Sequence, residues 1–319
     1  MSESPARQKA CILVLGMHRS GTSAMTHTIN AMGAALPSNL IPPLEDNAEG
    51  FWESEDIVGI HNRFMVAVDS GWNDPRPLPR EAFDTAAGHI CRTELMAVLR
   101  RDFTDRSLFV IKDPRISVLM PMWKNLLCDF GAQPYVVLGF RHPDEVARSL
   151  VKRRDGFVDG DNRPVGHHAR AVWLTHNLLA ERDSRGLPRA IVSYDDFLVD
   201  PVAAGRSLAE RLGCFDDAQV VAGLEAAKVQ WKPSMRNQVA STAVSGAGLP
   251  AWVARMYAWL TAAARGESPA TEGLDDLAAR MSEALELYGP LIRAGRPSPA
   301  VFKPPVLTRL ARRVSKLRG

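Results

Sequence analysis

Short uninterrupted apolar runs alternate along the chain with longer segments in which apolar residues recur at helical spacing. Cys11-Ile12-Leu13-Val14-Leu15 is apolar throughout, as in a strand buried on both faces of a parallel sheet. Leu108 to Ile111, Tyr135 to Phe140 and Arg189 to Tyr194 read as three further strands. Between them, Met25, Ile29 and Met32 share one face of a helix predicted over Thr22 to Met32. Ile57, Ile60, Phe64 and Val68 share another, and Val172, Trp173, His176, Leu179 and Ala180 a third. The alternation predicts an α/β fold of three layers, α/β/α, around a mostly parallel central sheet.

After Asp200 the strand-like runs stop, and residues 201–292 read as helical, with Gly213, Pro233 and Gly246 as breaks. The small and polar stretch from Trp231 to Gly248 reads as a loop. Pro297, Pro299, Pro304 and Pro305 mark a semi-rigid linker. We therefore expect one domain over 8–293, an α/β core to about 200 and a helical part after it, and then a Pro-rich linker and basic tail over 294–319.

Composition narrows the classes. Hydrophobic residues make up 46% of the 319 and charged residues 24%, which excludes a disordered chain, a collagen and a coiled-coil rod. Six of the 39 basic residues fall in the last twenty positions and no acid does, so the rest of the chain sets 33 basic residues against 36 acidic ones. A nucleic-acid binder carries its basic face on the fold itself, so no nucleic-acid partner is expected. Cys11, Cys91, Cys128 and Cys214 are far apart, without metal-like spacing. They read as reduced thiols, and no metal site is expected. No apolar run approaches a membrane span or a signal-peptide core, so the expectation is a soluble, cytoplasmic chain.

The richest stretch is Leu15-Gly16-Met17-His18-Arg19-Ser20-Gly21-Thr22-Ser23, which leaves a buried strand and opens a helix. Backbone N–H groups and the helix dipole converge there on an anion. Gly16, Gly21 and Ser23 keep the spacing of a Walker A loop, but Thr22 stands where that motif has its lysine. With Arg19 inside the loop instead, the expectation is a phosphate-rich ligand whose γ-phosphate is not the reacting group, against the alternative of a Gly-Ser turn with no ligand. A second candidate cradle, Arg141-His142-Pro143 through Ser149, follows the third strand. Arg141 marks the strand's carboxyl end, where ligands of open α/β sheets bind, and Pro143 suits a first helical turn. Lys112 ends the second strand, and a buried lysine calls for an anion. Asp113 is placed to orient Lys112 or Arg115, or else to serve as a Walker B acid.

The loop His18 to Ser23 resembles the 5′-phosphosulfate loop of sulfotransferases that use 3′-phosphoadenosine 5′-phosphosulfate (PAPS), in the bacterial carbohydrate type. Arg141-x-Pro with Ser149 resembles that family's 3′-phosphate site, and Lys112-Asp113-Pro114 its Lys-Ser/Thr-Pro motif. The resemblance implies a P-loop NTPase-like fold over about Cys11 to Asp200. It implies that His18, Arg19, Ser20, Gly21, Thr22 and Ser23 hold the 5′-phosphosulfate, that Arg141 and Ser149 hold the 3′-phosphate, and that Lys112 faces the sulfuryl group. PAPS would be the donor and adenosine 3′,5′-bisphosphate (PAP) the product, with no metal required. Asp46 to Ser54 resembles a Gly-aromatic-aromatic-acid segment of family members near glycan pathways, which implies a glycan or glycolipid acceptor.

Sulfuryl transfer needs a base for the acceptor hydroxyl. Glu53 is the first choice, beside an aromatic pair, Phe51 and Trp52, that would wall the acceptor. Glu45, Glu49 and His18 are the alternatives, and Glu53 could instead be an acid at a helix N-terminus. His176 reads as a core histidine, and Asn177 with Glu181 as an i,i+4 pair. Trp231 to Arg236 could close over the nucleotide, although the Gly-Asp-Trp-Lys form of the family's late cofactor motif is absent. Leu307, Leu310, Val314 and Leu317 line one face of a basic tail helix suited to an anionic membrane surface. Two other readings share the loop: a nucleotide-dependent kinase, and a non-catalytic nucleotide-binding adaptor.

Overall fold

The computed structural model describes residues 8–43, 50–153, 165–228 and 249–294. Four parallel strands form its sheet: β1 (Lys9–Leu15), β2 (Leu108–Lys112), β3 (Ala132–Phe140) and β4 (Arg189–Ser193), in the order β2-β1-β3-β4. The α/β class and parallel sheet expected from the sequence are both present. β3 starts earlier than its apolar run because it pairs with β1 from Ala132, opposite Lys9; Pro134, which has no N–H to donate, lies ahead of the register with β4, which begins at Val136. The fourth strand ends at Ser193, which caps a short helix, α7 (Tyr194–Val199), by accepting from the Asp196 N–H. The outer edge of β2 is covered by the chain after the first helix, where Ala35 exchanges backbone bonds with Leu108 and Val110.

Alternate residues of each strand feed two cores. Ile12, Val14, Val110 and Val137 pack with α1 (Thr22–Ala31), α8 (Pro201–Leu212) and α9 (Asp217–Lys228) on one face. Leu13, Leu15, Ile111, Leu138 and Phe140 pack on the other. There the helices are α2 (Glu55–Ala67), α3 (Ala86–Phe103), α4 (Ile116–Phe130), α5 (Pro143–Arg153), α6 (Val165–Asp183), α10 (Ala251–Ala264) and α11 (Glu272–Ala294). The helices after Asp200 thus divide between the two layers. The strand order reverses between β1 and β3, so the loops leaving their carboxyl ends flank the switch point at which open α/β sheets take ligands. No described helix is long and apolar enough to cross a membrane.

Candidate functional site

The loop between β1 and α1 is shaped by what crowds it. Gly16 has φ 126°, and a Cβ there would lie 2.1 Å from the Gly139 carbonyl oxygen of β3. Its N–H donates to the Ser117 hydroxyl at 2.9 Å, which ties the loop to α4. Gly21 has φ 80°, and a Cβ there would fall 1.9 Å from the Tyr194 ring. As the N-cap of α1, Gly21 offers no side chain to the first helical N–H groups, so these suit an anion. The Ser20 hydroxyl in the same loop is fully buried and makes no hydrogen bond. Thr22, at the Walker lysine position, turns its methyl toward Gly139 and is buried.

Side chains from three distant elements meet this loop. Arg19, itself at φ 72°, donates from Nε to the Ser149 hydroxyl of α5 at 2.8 Å. Tyr194, the first residue of α7 just past β4, lies against Gly21, and the Arg141 guanidinium sits 5.2 Å from the centre of its ring. Lys112 reaches the Ser23 hydroxyl at 3.3 Å. The two cradles read from the sequence are therefore one site, joined through Arg19 and Ser149. Tyr194 was not anticipated. Its signal was an aromatic residue at a strand's carboxyl end, read there as the strand's last residue. Burial raises its hydroxyl pKa, while Arg141 and Arg19 pull it back down.

Lys112 is buried, and its ammonium also donates to the Phe51 carbonyl at 3.0 Å and to Glu53 Oε1 at 2.5 Å. Glu53 is equally buried and stands one residue before Ser54, which caps α2 by accepting from the Ile57 N–H. The first-turn acids of α2 are Glu55 and Asp56, so Glu53 is an ion-pair partner rather than a helix-terminal acid. The expected aromatic wall divides. Phe51 is buried with Ile41 and Val58, and Trp52, at φ 59°, packs on the His27 ring. Glu45 and Glu49, the other carboxylates weighed as base, lie outside the described residues, as do Trp231 to Arg236 and the basic tail.

Arg141 pairs with Glu145 at 2.6 Å, one turn along α5, and its carbonyl accepts from the Trp173 indole. Asp113 is fully buried and orients Arg115, not Lys112: it accepts from Arg115 N and Nη1 and from His61. The Arg115 guanidinium and the His61 bond hold its carboxyl well below the usual carboxylate range against the effect of burial. Both its oxygens are engaged, which leaves it poorly suited to a Walker B role.

His18 sits edge-on to Trp72, with Nε2 buried and unpartnered. Burial, then Arg115, push its pKa well down, so the ring is neutral at physiological pH. His176 is a core residue bonded to the Val172 carbonyl, and burial pushes its pKa down to about 4. The expected Asn177–Glu181 pair does not form. Asn177 donates to the Trp173 carbonyl, while Glu181 takes Arg185 and Arg189.

No family model matches the chain, and no curated protein does. Among solved structures, the sulfotransferase domain from the curacin biosynthetic pathway aligns over 80% of this chain and 99% of its own, at 17% identity and a TM-score of 0.45. The sulfotransferase domain from the Synechococcus PCC 7002 olefin synthase aligns over 82% of this chain and 98% of its own, at 16% identity and a TM-score of 0.44. At these values the likeness assigns no role to any residue of this chain.

Proposed function

We propose that the chain transfers a sulfuryl group from PAPS to a hydroxyl acceptor. One observation carries the reading: Ser149, Tyr194 and Lys112, from three elements, meet residues 19, 21 and 23 of one anion loop, with Arg141 stacked on Tyr194. Such a site suits a ligand with two separate anionic ends. The uncapped start of α1 and the unbonded Ser20 hydroxyl favour one anionic group, and Arg141 the other. The donor supplies an activated sulfuryl group whose departure leaves PAP. Lys112 holds positive charge beside the loop, where charge develops on the transferred group and its leaving phosphate. Glu53, held against Lys112, accepts the acceptor's proton.

Calorimetry with PAP, ADP and ATP tests the reading. PAP should bind far more tightly than ADP, and equal affinity would overturn it. Transfer should persist in EDTA. Strict Mg²⁺ dependence would favour phosphoryl transfer, in which metal ions bridge the phosphates. The acceptor is proposed to be a glycan or glycolipid, to be identified with a panel of hydroxyl compounds and labelled PAPS. The tail is proposed to rest on anionic membranes. Truncation after Ala300 should lower sedimentation with anionic vesicles while sparing activity, and equal sedimentation would remove that role.

A further inference from the structure

One residue past Lys112, a chain of buried polar groups runs through the protein. The Trp123 indole donates to His61 Nε2 at 3.0 Å, and His61 Nδ1 meets Asp113 Oδ2 at 2.8 Å. Asp113 Oδ1 accepts from the Arg115 backbone N–H at 2.9 Å and from Nη1 at 2.8 Å, and Arg115 Nε donates to Asn62 Oδ1 at 2.9 Å. Asp113, His61, Trp123 and Arg115 are at most 1% exposed. The directions are fixed by chemistry. An indole N–H only donates, so His61 Nε2 accepts and the ring proton is on Nδ1, aimed at Asp113.

The chain joins three elements. Asp113 follows the last residue of β2, Arg115 and Trp123 belong to the start and middle of α4, and His61 and Asn62 belong to α2. The same elements carry the reactive pair: Lys112 is the last residue of β2, and Glu53 stands just ahead of the cap of α2. The separation of Lys112 from Glu53 therefore depends on how α2 docks against the end of β2. A buried ion pair is weak evidence for stability, because apolar residues of similar volume often do as well. What apolar packing lacks is direction, and hydrogen bonds supply it.

We infer that Asp113 is a positioning residue, which sets Lys112 against Glu53 by locking α2 to the end of β2 through His61 and through Arg115 and Asn62. Its effect on rate rests on the sulfuryl-transfer reading; its effect on geometry does not.

Two variants of the full chain test this. Asp113→Leu with Arg115→Met replaces the pair by apolar volume, and His61→Phe cuts the link to α2 while leaving the Asp113–Arg115 pair in place. Each leaves a buried polar group without a partner, so the thermal midpoint should fall, while the fold is kept and PAP affinity stays close to wild type. Turnover should fall about a hundredfold with KM for the donor little changed, the scale of a misplacement near 1 Å. In a Lys112→Ala background the same changes should cost little further turnover, because residues acting through one group are not additive. Costs that multiply in that background, turnover retained in both variants, or loss of the fold in both would each overturn the inference. If wild type binds no PAP, the transfer reading fails. Positioning is then judged by crystallography of the variants, where a Lys112–Glu53 contact still at 2.5 Å would overturn it.

Discussion

Two buried cation–carboxylate pairs flank the loop, and they differ in kind. Lys112 and Glu53 meet at 2.5 Å across 59 residues of chain. Arg141 and Glu145 meet at 2.6 Å across four. The second pair is local: Pro143 starts α5, and its first turn places Glu145 within reach of Arg141 and beside the positive end of the helix dipole. The first pair forms only when α2 and β2 are docked together. An ammonium has three donors, and those of Lys112 face Glu53, the Phe51 carbonyl and Ser23. Arg141 instead presents a planar fork stacked near an aromatic face, a shape matched to phosphate. On the sulfuryl-transfer reading proposed above, the remote pair would handle charge and the proton, and the local pair would supply affinity.

The largest effect should come from Glu53→Gln. The amide oxygen can still accept from Lys112, so the fold should survive, while the proposed proton acceptor is gone. Turnover should fall by about 10²–10⁴, with the PAP dissociation constant unchanged by calorimetry. Lys112→Ala is a blunter tool, because stranding a buried carboxylate costs about 3–5 kcal/mol of stability. If Glu53→Gln weakens PAP as much as it slows turnover, the division between the pairs is lost.

Arg141→Ala should do the reverse. Losing a charged hydrogen-bond donor costs about 1.5–3 kcal/mol, so PAP should bind more weakly by roughly ten- to a hundredfold, with turnover at saturating donor nearly intact. Arg141→Lys should restore little, because a point charge does not replace a fork. A turnover loss at saturation, with PAP affinity unchanged, would place Arg141 among the reacting groups.

The same contrast explains what the sequence disclosed. The strands, the loop at Gly16 to Ser23 and Arg141 at a strand end were legible because apolar runs and strand–turn–helix junctions are local patterns. The Lys112–Glu53 contact was not, since nothing in either segment encodes the docking of α2 on β2. Tyr194 was hidden by the same distance: its place against Gly21 depends on the neighbourhood of β4, not on residues beside it. Phe51 and Trp52 were read together as a wall, but the two rings have different partners: Phe51 is buried with Ile41 and Val58, and Trp52, at positive φ, packs on His27. Asn177 and Glu181 had the right spacing for a pair, but each found a nearer partner: a helical carbonyl in one case, two arginines in the other.

The smallest expected effect is one proton's worth of acid sensitivity, and it should also differ between the two regions. His176 is influenced by Arg115 and Asp113, the network beside Lys112, and burial lowers its pKa from 6.5 to about 4. His142 follows Arg141. Burial lowers its pKa too, but Asp144 and Glu145 draw it back up. In both cases the unfolded chain takes up the proton first, so stability is full above the unfolded value and falls as pH drops toward the folded one. For His176 the window runs from pH 6.5 down to about 4, with a slope approaching about 1.4 kcal/mol per pH unit. Urea unfolding at several pH values across that window measures it. His176→Gln should flatten the slope by nearly one proton, and His142→Gln by less. The slope is the quantity to compare, since either amide shifts stability at neutral pH by its own packing. A larger flattening from His142→Gln would mean that the carboxylates around Arg141 do not favour its protonation, and that the local pair is drier than the remote one.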